Sequence, residues 1–291
     1  ATYRRDGTHV MHRRIIGQDK VLEQIDKWKQ QNRFPRFTII NGLKGSGKKM
    51  IARHLADTME AIPVECGIKV DELRSIIAMS YKQSEPVAYI IPDADRMSIA
   101  AKNSLLKVTE EPPRQAYFIM TIEELNNTLP TITSRGTVLS MQPYTNEQIL
   151  EYTMESGLDI PDSDWRLVSE ICSTPGEVNE LARYNISEFY EYICKVLDNI
   201  GKVNGANAFK IGTKINFKDS DEDAAGWNVQ LFLRAIITEA IYRAKKGQDV
   251  LKNAQSVYKT SRTISDMGVN GINKSAIFDM WLLDMMEIWS E

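Results

Sequence analysis

The chain has 291 residues, 43% hydrophobic and 26% charged, which excludes a mainly disordered or fibrous protein and leaves room for two or three domains of roughly 100 to 150 residues. Its 36 Lys and Arg against 39 Asp and Glu give a net charge of −3, so overall charge does not mark a free nucleic-acid binder. No apolar run approaches the roughly 18 to 20 residues of a membrane span, and the opening ATYRRDGTHVMHRR lacks the apolar core of a signal peptide, so a cytoplasmic protein without membrane contact is expected.

Charge is uneven along the chain. Through residue 60 there are 13 Lys and Arg and 6 Asp and Glu, a balance of +7 that leaves −10 for the remainder. The basic stretch reads either as a polyanion-facing surface or as a solvated face. Its conspicuous doublets are Arg4, Arg5, Arg13 and Arg14. His9, His12 and His54 have no metal-ligand spacing. Cys66, Cys172 and Cys194 are far apart with no CxxC pair, so they read as buried thiols and neither a disulfide framework nor a zinc ribbon is expected.

In chain order, residues 18 to 31 carry Val21, Leu22, Ile25 and Trp28 at helical spacing. RFTIIN, 36 to 41, reads as a strand, followed by the loop GLKGSGKK and the helical MIARHLADTMEA. Residues 62 to 66 suit a short strand, and VDELRSIIAMSYKQ suits a helix buried through Leu73, Ile76 and Ile77. VAYII, 87 to 91, is continuously apolar, as in a strand covered on both faces. One helix is expected from the cap Ser98 to Glu111, where Pro112 and Pro113 stop it. AYFIMTI, 116 to 122, and VLSM, 138 to 141, read as further strands, with a short helix starting near Pro130. Strands alternating with helices imply a parallel sheet with right-handed crossovers. After Pro143 the chain is helix-rich, with longer amphipathic segments at 227 to 245 and 275 to 289. FKDSDEDAAG, 217 to 226, is acidic and turn-rich and reads as an exposed loop.

Gly42, Gly47 and Lys48 satisfy GxxxxGK, with Gly45 between, in the strand-loop-helix context of a phosphate-binding loop. There the backbone N–H groups cradle phosphates and the lysine reaches the terminal ones. The next residue should carry a hydroxyl for Mg²⁺, and here it is Lys49. The strand VAYII runs into PDAD, which sets Pro92 at the metal-organising aspartate and Asp93 at the water-activating glutamate. Proline has no side-chain oxygen, and Asp93 falls about one methylene short of the water, so hydrolysis should be severely impaired. Three readings stay open: a purely structural loop, weak ATP or ADP binding without turnover, or Asp93 or Asp95 moving into the metal role.

DADRMSIAAKNSLLKVTEEPPRQAYFIMTI followed by LPTITSR resembles the AAA+ module of DNA polymerase clamp loaders, where a helix ending in Leu-Glu-Glu-Pro-Pro leads to a sensor strand and a Ser-Arg-Cys motif. The matching pieces here are residues 107 to 113 and Ser134-Arg135-Gly136. Ile15 to Gln18 (IIGQ, near the adenine pocket in that family), IKVDELR at 68 to 74 and STPG at 173 to 176 extend the likeness over about the first 185 residues. The resemblance implies an α/β P-loop (AAA+) domain with a parallel sheet and degenerate Walker motifs at 1–143, a small helical lid at 144–186 and an all-α collar at 187–291. Within the family the pattern is similar to a subunit type that lacks a working ATP site yet keeps the motif arginine. That implies a DNA-replication role in which Arg135 acts in trans on a neighbour's ATP. The same guanidinium could instead cap the preceding helix or pair with Glu123 or Glu124.

The implied partners are other clamp-loader AAA+ subunits in a hetero-oligomer, a sliding clamp, and primer–template DNA that the basic doublets would face. No cofactor is required, ATP or ADP would bind weakly, and no Mg²⁺ site is expected. No zinc is expected either, because the interval that holds a four-cysteine module in such subunits contains only Cys66. A lid arginine of active relatives falls at Gly176, and the strand sensor fits Thr121 or Ile122. The stripe Ile277, Phe278, Trp281, Leu282, Met285 and Met286 reads as core, and Trp289 as interfacial in a collar. The alternatives are an autonomous AAA+ ATPase of helicase-loader type, against which Pro92 argues, or a non-enzymatic nucleotide-binding regulator.

Overall fold

Both faces of the apolar strands find helices. The computed structural model describes residues 14–202, 205–217, 226–268 and 272–290. Its first half alternates α1 (Asp19–Gln30), β1 (Phe37–Asn41), α2 (Lys48–Thr58), β2 (Ile62–Glu65), α3 (Val70–Ser80) and β3 (Val87–Ile91). It continues through α4 (Ile99–Ser104), α5 (Leu106–Glu110), β4 (Ala116–Ile122), α6 (Pro130–Thr133), β5 (Thr137–Ser140) and α7 (Asn146–Glu155). The sheet is parallel, in the order β2-β3-β4-β1-β5.

The two-residue period of the strands divides the core. Tyr89, Ile91, Phe118 and Met120 face Leu73, Ala101, Leu105, Val108 and Ile132 on one side. Ala88, Ile90, Ile119 and Ile40 face Val21, Ile25, Ile51 and Leu55 on the other. With β1 between β4 and β5, the loop after β1 lies at the carboxyl ends of the strands, the edge where ligands of open α/β sheets bind. At the far edge, Ile62 donates its N–H to Pro86 O, just before β3, and Cys66 to Ile90 O in β3, so alternation turns Pro63 outward and its missing N–H blunts the open strand.

The expected single helix from Ser98 to Glu111 is two helices. Ser98 caps the first, its hydroxyl accepting from Ala101 N–H at 3.2 Å. The Ser104 hydroxyl then donates back to Ala101 O at 2.6 Å, and Leu105 N–H bonds three residues back to Lys102 O. Both bonds tighten the turn where the helix breaks.

The chain divides into two compact units between Gln148 and Ile149. The second contains α8 (Trp165–Ile171), α9 (Pro175–Leu181), α10 (Ile186–Asn199), α11 (Gly205–Gly212), β6 (Ile215–Asn216), β7 (Trp227–Asn228), α12 (Val229–Lys245), α13 (Val250–Met267) and α14 (Lys274–Ser290). α12 starts two residues later than the sequence suggests, because Asn228 caps it by accepting from the N–H groups of Gln230 and Leu231. Phe278, Trp281, Leu282 and Met285 are buried, with Ile277 and Met286 half-buried beside them. The half-buried Trp289 donates its indole N–H to Ser256 Oγ at 2.9 Å within the unit. Most of the acidic stretch at 217 to 226 lies outside the described residues.

Candidate nucleotide site and exposed arginine

The loop after β1 has the backbone of an anion cradle. Gly42 N–H donates to Ile122 O at 3.2 Å, which pins the loop to the end of β4. A Cβ on Gly42 would lie 2.6 Å from Met141 Cβ, so packing requires glycine there. Gly45 and Gly47 adopt left-handed backbone (φ 77° and 89°). Gly47 is also the N-cap of α2 and offers no side-chain oxygen to the helix N–H groups, which leaves them for an anion.

Lys48 is buried and donates to Gly42 O at 2.7 Å and Leu43 O at 3.0 Å. Burial holds its pKa below the ordinary lysine value, while Glu123, Asp93 and Asp95 pull the other way. Burial in turn pushes Glu123 up, opposed by Lys48. Carboxylates from the ends of β3 and β4 thus converge on the loop lysine. Tyr144 closes the other side: its hydroxyl donates to Ser46 O at 2.8 Å, and its ring lies 3.1 Å from where a Cβ on Gly17 would be. Gln18 Nε2 donates to Gln142 O at 3.0 Å and its Oε1 accepts from Gln142 N–H at 2.8 Å, which ties the IIGQ segment beside the loop. The sequence pattern singles out neither Tyr144 nor the approach of Glu123 to Lys48, since Glu123 is named there only as a possible partner of Arg135.

The residues at the metal positions do not fit Mg²⁺. Lys49 turns toward β2, its Nζ 3.7 Å from Glu65 Oε2, and Arg53 pairs with the same carboxylate and holds its pKa below the usual range. Pro92 follows β3 and supplies no side-chain oxygen. Asp93 is exposed in left-handed backbone (φ 47°), and its N–H donates to Thr121 Oγ1 at 3.1 Å. Asp95 Oδ1 accepts from Glu123 N–H at 2.9 Å, so that oxygen joins the turn after β3 to the end of β4. Of the two sensor placements, Thr121 is the one whose side chain meets this turn. Buried Lys102, on α4, braces it by donating to Asp95 O and Asn127 O.

Arg135 follows α6. Its guanidinium donates to Thr131 O at 2.7 Å, capping that helix, and lies 2.8 Å from Glu110 Oε1. The carboxylate partner is therefore Glu110 and not Glu123 or Glu124, since Glu123 faces Lys48. The side chain keeps 36% exposure. Gly136 stands where the family motif has cysteine, and a Cβ there would meet Ile39 Cδ1 at 2.7 Å and Phe37 Cδ1 at 2.8 Å. Those β1 side chains fill the room a cysteine would need. Arg14 is exposed, while Arg4, Arg5 and Arg13 lie outside the described residues. Among the described residues no group of three or more His, Cys, Asp or Glu could hold a metal ion. Burial pushes the Cys66 thiol up to about 12.

The family described as "DNA polymerase III, delta subunit" matches residues 56–145. Residues of this chain are 31% identical over 129 positions to DNA polymerase III subunit delta' of Bacillus subtilis, covering 44% of this chain and 38% of that one. They are 26% identical over 171 positions to DNA polymerase III subunit gamma of Buchnera aphidicola, covering 48% and 47%. Residues 56–145 of this chain are thus similar to clamp-loader subunits of DNA polymerase III. The chain spans less than half the length of either curated relative. The RuvB Holliday junction branch migration motor of Thermotoga maritima shares the fold, with a TM-score of 0.51 at 13% identity over 94% of this chain and 87% of that one. No helix among the described residues is long and apolar enough to cross a membrane.

Proposed function

We propose that this clamp-loader family chain is a delta-prime-like subunit of DNA polymerase III that does not hydrolyse ATP itself and offers Arg135 to the ATP of a neighbouring subunit. The observation that carries the reading is the contrast between the two sites. At the loop, the position for a metal-binding hydroxyl holds a cation turned to Glu65, the next metal position is a proline, and one oxygen of Asp95 accepts from Glu123 N–H. Arg135 meanwhile stays within reach of another chain. An arginine so placed stabilises charge on a transferring phosphoryl group without a working site of its own.

In this reading the loop needs no cofactor, no Mg²⁺ and no zinc, and it binds ATP or ADP weakly through its backbone N–H groups and Lys48. The partners are gamma- or tau-type AAA+ subunits, with a sliding clamp and primer–template DNA engaged through the assembly in the cytoplasm. The B. subtilis and Buchnera relatives, both named as DNA polymerase III subunits, support the AAA+ subunit partners. Co-purification tests it. Recovery with gamma-type subunits, and no ATP hydrolysis by the chain alone, is the expected result. A chain that ignores those subunits would instead be a nucleotide-binding regulator, and one that turns over ATP alone would be an autonomous ATPase.

A further inference from the structure

We infer that Glu110 is a positioning residue for Arg135, holding the guanidinium in place while leaving donors free for a neighbour's phosphoryl oxygens. This rests on the reading of Arg135 as an arginine offered in trans. The guanidinium has five N–H donors. Nη1 donates to Thr131 O, while Nη2 lies 2.8 Å from Glu110 Oε1 as an ion pair, so at most two of the five N–H groups are engaged. The fork is thus held from two elements and still open on a further edge.

Both anchors are fixed by the backbone around them. Thr131 lies in α6, which begins at Pro130, where proline presets the helical φ. Glu110 is the last residue of α5, ahead of Glu111 and the Pro112-Pro113 stop. Tyr81, just after α3, braces that end: its hydroxyl donates to Glu111 O at 3.3 Å, and Lys107 Nζ lies 5.9 Å from its ring centroid. Glu110 is thereby a carboxylate on a braced helix end rather than on a free loop.

The pair is solvent-exposed, Glu110 at 53% and Arg135 at 36%. Water screens such a pair, so its loss hardly changes stability. Positioning is a different matter, because an error of about 1 Å in a catalytic group can cost on the order of a hundredfold in rate. Removing Glu110 is therefore expected to act on turnover and not on folding.

The test is steady-state, DNA-stimulated ATP hydrolysis by the full chain assembled with gamma-type subunits on primed DNA. Glu110→Ala should lower kcat by about tenfold or more with little change in the KM for ATP, the signature of an interaction needed in the transition state. Glu110→Gln, which keeps an acceptor oxygen, should recover most of the rate, and the melting temperature of both variants should match that of the parent. The double variant with Arg135→Ala should be no slower than Arg135→Ala alone. A slow Arg135→Ala assembly beside a normal Glu110→Ala assembly would overturn this inference while leaving the in-trans role of Arg135 intact. A double variant slower by the full Glu110→Ala factor would also overturn it, by placing Glu110 elsewhere in the cycle. A normal rate for Arg135→Ala would remove the reading of Arg135, and this inference with it.

Discussion

Lys49 replaces a metal-binding hydroxyl with a cation, and the surrounding side chains have adapted to it. Glu65 receives Lys49 and Arg53 together, so changing position 49 alone does not rebuild the site. Lys49→Ser is expected to leave ATP hydrolysis by the chain at background, because Pro92 still lacks an oxygen and Asp95 stays bonded to Glu123 N–H; a phosphate-release assay checks this. Gly42 makes a different point. Its hydrogen is the only substituent that clears Met141 Cβ, an atom that cannot swing away. Gly42→Ala should therefore cost about 1–3 kcal/mol in chemical denaturation, as overpacking does. Cys66 was legible as a buried thiol, and its reactivity follows. Folding raises its pKa from an ordinary 9.0 to about 12, so its contribution to stability is full below about pH 9 and is lost as pH rises through the folded value. Native protein should react with a disulfide reagent at pH 8 far more slowly at Cys66 than denatured protein does, as labelling and mass spectrometry would show. The loop glycines, Lys48, Lys49 and Pro92 were readable from the loop and strand pattern, and Arg135 from the family resemblance. Tyr144 was not, nor were the pairings of Glu110 with Arg135 and of Glu123 with Lys48, because each reaches its partner across the fold.

Whole elements were legible where their buried side chains are apolar. The strands at 87 to 91 and 116 to 122 fall where continuous apolar runs put them, and α1, α2 and α3 follow their apolar stripes. α13 escaped the same reasoning. Its inward face is Asn253, Ser256, Thr260, Thr263 and Met267, a helical repeat made mostly of small polar side chains. Hydropathy therefore gives no stripe to read. Most polar atoms of these side chains find partners: Asn253 Nδ2 donates to Gln248 O, Ser256 to Lys252 O and Thr263 to Lys259 O, while Asn253 Oδ1 is buried without one. Two tryptophans of α14 complete the set, Trp281 donating to Thr260 Oγ1 at 2.9 Å and Trp289 to Ser256 Oγ. Small side chains let the helices approach, and the indoles bring the apolar mass. Thr260→Val would keep the shape but strand the buried Trp281 N–H, at a cost of about 1–3 kcal/mol, whereas Thr260→Ser keeps the acceptor and should cost less. Urea denaturation of the two variants separates the hydrogen bond from the packing.

At the scale of the molecule, the first unit is a P-loop fold in which Lys49 pairs with Glu65, Asp95 accepts from Glu123 N–H and Arg135 keeps 36% exposure. The second is a helical unit with its own aromatic core of Phe232, Phe278 and Trp281. The near-neutral charge of the whole conceals a basic first 60 residues and an acidic remainder. That division was visible in composition, and so was the family likeness of the first half. The exposure of Arg135 was not, since it depends on how α5 and α6 hold its guanidinium. The most direct measurement is single-turnover, DNA-stimulated ATP hydrolysis at the neighbouring subunit in an assembly carrying Arg135→Ala. A fall of about 10³ or more is expected if this arginine stabilises the transferring phosphoryl group; a rate equal to that of the parent assembly would contradict the in-trans role.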